Sequence, residues 1–92
     1  MSEVFGSVWD ALSDTPEQAA NLKARSELLI SIRERVKSWS VSQEDAAKRL
    51  GLTRGGLNDL LHGRLDKFSL DALVNIATAA GFSLHIELAE VA

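Results

Sequence analysis

The sequence predicts an all-α domain of four to five helices that ends in a single β-strand. Apolar residues recur at helical spacing in several stretches, and most of these follow a serine or threonine able to cap a helix. Glycines stand where three of the stretches end. At residues 82–88 the period changes, and apolar and polar residues alternate as in a strand with one buried face.

Residues 42–63, SQEDAAKRLGLTRGGLNDLLHG, predict two short helices joined by a tight turn. Ser42 caps the first helix and Gly51 ends it; Thr53 caps the second and Gly63 ends it. Each helix has an apolar stripe on one side: Ala46, Ala47 and Leu50 in the first, and Leu57, Leu60 and Leu61 in the second. The second of these alanines must be small, because helices crossing over so short a turn approach closely.

A long helix is predicted before this unit. Its start signal is Thr15 as a cap, Pro16 at the first helical position and Gln18 placed to complete a capping box. The position of Trp39 at the end of its apolar stripe favours a core role over stacking on a nucleic-acid base. The stripe is Leu28, Ile32, Val36 and Trp39, and the other sides carry Lys23, Arg25, Arg33, Arg35 and Lys37.

A last helix and a strand follow the central unit. Ser69 caps the helix and Gly81 ends it, after a stripe of Leu70, Leu73, Val74, Ala77 and Ala80. The strand's backbone groups need a partner, and the sequence predicts no second strand. Pairing with the same strand of a second copy therefore predicts a homodimer. The alternatives are a frayed tail or pairing with residues 4–5; the dimerisation residues would be Phe82, Leu84, Ile86 and Leu88.

The N-terminal residues predict a short amphipathic helix or a hydrophobic arm. Their apolar residues are Val4, Phe5, Val8, Trp9 and Leu12, close to helical spacing. The arm either packs on its own domain or binds a partner through Phe5 and Trp9. The resulting division is an arm at 1–21, a helical domain at 22–81 and a dimerisation strand with tail at 82–92.

Charge is unevenly distributed along the 92 residues. The net charge is −3, yet all ten Lys and Arg lie within residues 22–68, which carry only six acids. A basic centre between acidic ends is compatible with nucleic-acid binding, although a solvated helix face explains part of it. The absence of cysteine, of a signal-peptide pattern and of a long apolar run predicts a cytoplasmic protein with no membrane segment.

Residues 42–63 resemble the helix-turn-helix of the XRE-type (lambda-repressor-like) regulators. The resemblance rests on Gln43, Ala47, Gly51, Leu57 and Leu60. The following residues, GRLDKFSLDALVNIATAAGFSLHIEL, resemble short members that serve as antitoxins of type II toxin-antitoxin modules, of the HigA kind and, in the terminal strand, of the HipB kind. The resemblance covers residues 22–88 and implies a lambda-repressor-like fold.

This resemblance also implies which residues meet double-stranded DNA. The second motif helix would enter the major groove. Arg54 can grip guanine O6 and N7, and Asn58 can read adenine; Asp59 either accepts from a cytosine amine or pairs with a neighbouring basic side chain. The base-contacting set is Arg54, Gly55, Gly56, Asn58 and Asp59, and the phosphate-contacting set is Gln43, Thr53, Arg64 and Lys67.

The glycine pair departs from the family pattern, since relatives usually carry Gln, Ser or Lys at these two positions. Two adjacent glycines weaken a helix by about 1 kcal/mol each relative to alanine. Either the first turn of the helix is frayed, or a close approach of backbone to DNA replaces side-chain reading.

The implied function is a bacterial repressor that binds a palindromic operator as a homodimer, autoregulates its operon and neutralises a cognate toxin. A regulator without a toxin, or a protein-binding module with a decayed DNA face, are the alternatives. Toxin contacts would come from Phe5 and Trp9 or from the acidic flanks. The two histidines do not indicate a catalytic or metal site, because His62 is predicted to cap a helix end and His85 to face solvent. We therefore expect neither enzymatic activity nor a metal site nor a cofactor.

Overall fold

The computed structural model describes residues 15–91, and all of its regular secondary structure is helical. The helices are α1 (Pro16–Ser38), α2 (Gln43–Leu50), α3 (Arg54–Leu61) and α4 (Leu70–Ala79), with a 3-10 turn (Leu65–Lys67) between the last two. The all-helical part of the prediction is confirmed for this range. Residues 1–14 of the predicted arm at 1–21, Phe5 and Trp9 among them, lie outside the described range, whereas its residues 16–21 belong to α1, which continues without a break across residue 21.

Each α-helix begins at the capping residue that the sequence predicts. The side-chain oxygens of Thr15, Ser42, Thr53 and Ser69 each accept a hydrogen bond, at 3.0–3.1 Å, from the backbone N–H three residues later. Such a cap stabilises a helix by about 1 kcal/mol relative to alanine. Each helix start therefore has a local cause in the side chain that precedes it.

The core lies between α1 and α4, and the α2–α3 pair packs against both. Ile32 of α1, Leu60 of α3 and Leu73 of α4 are fully buried at its centre. Gly51 joins α2 to α3 with a φ of +70°, a left-handed conformation that a residue with a Cβ adopts only at a cost. The buried residues Ala46 and Ala47 belong to the same core and let α2 lie close to its neighbours.

Two arginines of α1 bind other parts of the same chain. The Arg25 Nη1 donates to the carbonyl oxygens of Leu65, at 3.1 Å, and Phe68, at 3.2 Å, which fixes the 3-10 turn. The Arg35 Nη1 donates to the Ala80 carbonyl at 3.4 Å, and its guanidinium carbon lies 4.1 Å from the centroid of the Phe82 ring. Part of the basic side predicted for this helix is therefore structural.

Residues 82–91 follow α4 without helix or strand. Leu84, Ile86 and Leu88 leave 47%, 70% and 94% of their surface exposed. The predicted strand and its pairing are thus not present in this single chain. Phe82 differs from the other three predicted dimerisation residues, because it is half-buried and packs against the core. Within residues 15–91, no helix combines the length and apolar character needed to cross a membrane.

Candidate nucleic-acid interface

Helix α3 presents one polar, exposed side to solvent. Leu57 and Leu60 are buried on its inner side, whereas Arg54, Gly55, Asn58 and His62 are exposed on the other. Arg54, Asn58 and His62 are spaced four residues apart, so they follow one line along the helix. The side of α3 that faces away from the core therefore carries Arg54, Gly55 and Asn58 of the predicted base-reading set, whereas Gly56 and Asp59 are half-buried.

Arg54 is the first residue of α3, and its guanidinium group is available for an external contact. It is exposed, and no residue in the range 15–91 forms a hydrogen bond or ion pair with its side chain. A cation at the start of a helix lies near the positive end of the helix dipole, which is an unfavourable position for the folded chain alone. Arg54 therefore contributes nothing visible to the fold and is available to an external acceptor.

Asp59 and Arg64 form an ion pair between α3 and the loop that follows it. The Arg64 Nη1 donates to the Asp59 Oδ1 at 2.7 Å, and the Arg64 backbone N–H donates to the Asp59 carbonyl at 3.0 Å. The Asp59 side chain is only 25% exposed, whereas that of Arg64 is 50% exposed. Of the two interpretations of Asp59, the geometry favours the one in which it orients a basic neighbour.

The glycine pair forms part of a capped first turn. Thr53 precedes α3, and its Oγ1 accepts from the Gly56 N–H at 3.0 Å. A Cβ added at Gly55 would meet only that Oγ1, at 3.9 Å, whereas one added at Gly56 would lie 3.3 Å from it. Gly55 is thus open to solvent, while Gly56 lies close to the capping oxygen.

Changing Gly55 to alanine is expected to raise the free energy of unfolding by about 0.5–1 kcal/mol, because alanine has the higher helix propensity and the new methyl group meets no obstacle. If the backbone of this turn approaches DNA closely, the same change will weaken operator binding despite the gain in stability. Chemical denaturation and a DNA-binding titration measure the two effects. Gly56→Ala is the matched control and should stabilise less, and undiminished affinity of the Gly55 variant would contradict a close backbone approach.

The predicted phosphate-binding residues lie at helix starts and in the loop after α3. Gln43 is the first residue of α2 and is exposed, as is Lys67 in the 3-10 turn. The Thr53 hydroxyl accepts from backbone and still has its own hydrogen to donate. Arg64 is already oriented by Asp59. All four can present donors to solvent.

His62 also lies on this side of α3, although the sequence predicts only a helix-end role for it. It follows the last residue of α3, and its Nδ1 lies 2.8 Å from the Asn58 carbonyl oxygen. That contact agrees with the predicted helix-end role. It also fixes the ring so that the Nε2 remains available. The four-residue spacing from Arg54 through Asn58 is the signal that could have identified His62.

Several of the basic side chains in the centre of the sequence contact groups of the same chain. Arg25, Arg35 and Arg64 bind groups of the same chain, and the Arg49 guanidinium carbon lies 5.0 Å from the centroid of the Trp39 ring. Trp39 itself packs against the core.

Residues 15–91 contain no group of three or more His, Cys, Asp or Glu side chains that could hold a metal ion.

Among curated proteins, no sequence matches this chain. A family model described as a helix-turn-helix domain matches residues 11–89, which include all four helices and the exposed side of α3. Helix-turn-helix domains are DNA-binding modules whose second helix lies in the major groove, and α2 and α3 occupy the positions of the two motif helices. The chain therefore belongs to the helix-turn-helix domain family, and this membership indicates a DNA-binding regulator.

Proposed function

We propose that the protein is a homodimeric, sequence-specific transcriptional repressor that binds a palindromic operator, its own promoter included. The observation that carries this proposal is the exposed side of α3, where Arg54 has no intramolecular role within residues 15–91. Arg54 contacts guanine and Asn58 contacts adenine. The two α3 helices of a dimer lie about 34–36 Å apart and enter successive major grooves on one side of the duplex.

Phosphate contacts position the dimer on its operator. Arg64 and Lys67 supply the charged contacts, and Gln43 and Thr53 supply neutral donors. Asp59 acts as a positioning residue, since its 2.7 Å contact limits the orientations that the Arg64 side chain samples. An exposed ion pair contributes at most about 1 kcal/mol to stability, so its value here is the orientation of Arg64.

Salt dependence tests this arrangement. Two charged phosphate contacts per protomer give about four per dimer, and each contributes about −0.9 to the slope of log affinity against log salt. A fourfold rise, from roughly 50 to 200 mM, is then expected to weaken binding by about 10²-fold. Titration of the DNA upstream of the gene, with a scrambled fragment as control, measures this. Affinity that does not change with salt would rule out the phosphate contacts.

Replacing His62 by alanine is expected to weaken operator binding, because His62 is the third residue in line with Arg54 and Asn58 and its Nε2, an acceptor when Nδ1 donates to the Asn58 carbonyl, can meet a donor on a base edge. The helix-end contact with the Asn58 carbonyl is lost at the same time. His62→Asn separates the two effects, since its short amide can still cap the helix but does not reach as far. A variant as stable and as tight-binding as the wild type would remove His62 from the interface.

The same repressor is proposed to be the antitoxin of a type II toxin-antitoxin module. The support is the resemblance of residues 63–88 to the short antitoxins and the acidic ends of the chain, which complement a basic toxin. Phe5 and Trp9 are the candidate toxin contacts. As a cytoplasmic regulator it associates with the nucleoid when it occupies its operator.

Co-expression with the adjacent open reading frame tests the antitoxin proposal. A toxin partner is expected to arrest growth when expressed alone and to co-purify with this chain. If the adjacent product is harmless and does not co-purify, the protein is a regulator without a toxin, provided that it still shifts its own promoter DNA. If it shifts no fragment of that promoter, the protein-binding module is the better description.

A further inference from the structure

An apolar groove runs between α1, α4 and the C-terminal tail. It has a volume of about 560 Å³, and no residue within 15–91 fills it. Leu28 of α1 and Leu70 and Val74 of α4 form its floor, and all three are only half-buried. Leu84 and Ile86 of the tail line the same groove, together with polar groups of Glu27, Ser31, His85 and Glu87 at its edges. Apolar side chains of the two helices and of the exposed tail therefore meet in one groove.

The tail alternates in a way that separates its apolar and polar side chains. Leu84, Ile86 and Leu88 fall on one side of an extended chain, and Ser83, His85 and Glu87 on the other. The His85 Nε2 lies 3.8 Å from the Glu87 Oε1, which agrees with their position on a common side. Phe82 does not belong to the free part, because its N–H donates to the Ala77 carbonyl at 3.0 Å and its ring lies under Arg35.

A two-stranded ribbon is at best marginally stable on its own in water and needs an apolar surface to pack on. The groove floor offers such a surface, and the tail offers unpaired backbone donors and acceptors. Pairing through a two-fold axis must be antiparallel here, with the axis on a residue rather than between two residues. An axis between residues would place apolar and polar side chains on the same side of the ribbon.

Among the three central residues of the segment, 85–87, the side chains favour one for the axis. An axis at Ile86 brings the two Ile86 side chains together, pairs Leu84 with Leu88 of the partner subunit, and sets His85 opposite Glu87 of the partner subunit on both strands. An axis at Glu87 would oppose two carboxylates, which is destabilising. An axis at His85 would oppose two histidines and leave Glu87 facing a serine.

We infer that residues 83–88 of two copies form an antiparallel ribbon with Ile86 on the two-fold axis, and that its apolar side seats in the groove floored by Leu28, Leu70 and Val74. The occupant of the groove is thus a second copy of this chain. This inference rests on the proposed homodimer. It adds the register of the two paired strands and the groove in which they pack.

Cysteine cross-linking of the full chain tests the register, and the natural sequence has no cysteine to interfere. Directly opposed residues have Cα atoms about 4.5–5.5 Å apart, within the range of a disulfide. Ile86→Cys is therefore expected to give a covalent dimer under mild oxidation. Leu84→Cys should not, because the two copies of residue 84 lie about 13 Å apart in this register. The double variant Leu84→Cys/Leu88→Cys should cross-link again.

Sedimentation of the wild-type protein separates the two possible failures. A monomer at about 100 µM would overturn the homodimer, because a dimer of micromolar affinity is largely associated at that concentration. A dimer in which His85→Cys or Leu84→Cys cross-links and Ile86→Cys does not would overturn the register alone.

Packing of the ribbon in the groove is tested separately. Val74→Asp places a charge on the groove floor and is expected to weaken dimerisation at least tenfold. Asn75→Asp adds the same charge at the next, exposed position of α4 and should leave dimerisation unchanged. Equal effects of the two variants on the dissociation constant would remove the groove from the interface. Circular dichroism checks that both variants keep the helical fold.

Discussion

Replacing Arg54 with alanine is expected to remove about 1–3 kcal/mol of discrimination at one base pair of each operator half-site. The side chain stands at the start of α3, exposed, with no partner in the described range, so its only evident role is external. A bidentate guanidinium contact reads guanine through two acceptors at once, and alanine retains neither. Selection of preferred sequences by the two proteins measures the change position by position.

Two control variants distinguish recognition of a base by Arg54 from non-specific electrostatic attraction to DNA. Arg54→Lys retains the charge but not the planar pair of donors, so it should keep part of the affinity and lose most of the base preference. Lys23→Ala removes an exposed charge from α1, outside the predicted interface, and should change neither. If Arg54→Ala weakened binding equally on all sequences, Arg54 would be a phosphate contact and not a base reader.

Stability gives a further internal check on the Arg54 variant. A positive charge in the first turn of a helix opposes the helix dipole, so its removal should leave the free energy of unfolding unchanged or slightly higher. A loss of operator binding by Arg54→Ala therefore cannot be attributed to unfolding. The same reasoning separates Arg54 from the residues on the inner side of α3.

The parts of the fold that the sequence predicts well are those with local causes. Thr15, Ser42, Thr53 and Ser69 mark helix starts because a capping bond closes over three residues. Gly51 marks the turn because the turn needs a positive φ. None of these features depends on where distant parts of the chain lie.

The parts that could not be predicted depend on tertiary contacts. Arg25 and Arg35 look like members of a basic surface, yet the carbonyls that they bind lie 40 or more residues away along the chain. Phe82 alternates in step with Leu84 and Ile86, but the guanidinium that covers its ring comes from α1. Sequence pattern identifies that a residue is charged or apolar, and only the fold decides which partner it meets.

The candidate interface divides in the same way. The exposure of Arg54 and Asn58 follows from the leucine stripe of α3, which the sequence contains. The partner of Asp59 does not follow from it, because both interpretations fit the spacing and only the loop geometry brings Arg64 to 2.7 Å. The sequence predicts a helix-end role alone for His62, although the contact at the helix end and exposure on the α3 surface are compatible.

Leu60→Ala is expected to lower the free energy of unfolding by about 2–5 kcal/mol. Leu60 is fully buried in the core that joins α3 to the rest of the domain, so alanine leaves a cavity as well as losing apolar contact. A domain of this size has only about 5–14 kcal/mol of stability in total. Leu61→Ala, the same change at the neighbouring half-buried position, is the matched control and should have the smaller effect.

Urea denaturation at several protein concentrations measures this loss, because a dimer's apparent stability rises with concentration. Substitutions on the two sides of α3 are expected to have opposite effects on base preference and stability. Leu60→Ala should reduce operator binding only in proportion to the unfolded fraction and keep the base preference, whereas Arg54→Ala should change the base preference and keep the fold. If Leu60→Ala altered the preference while remaining folded, α3 would read DNA through its position on the core as well as through its exposed side chains.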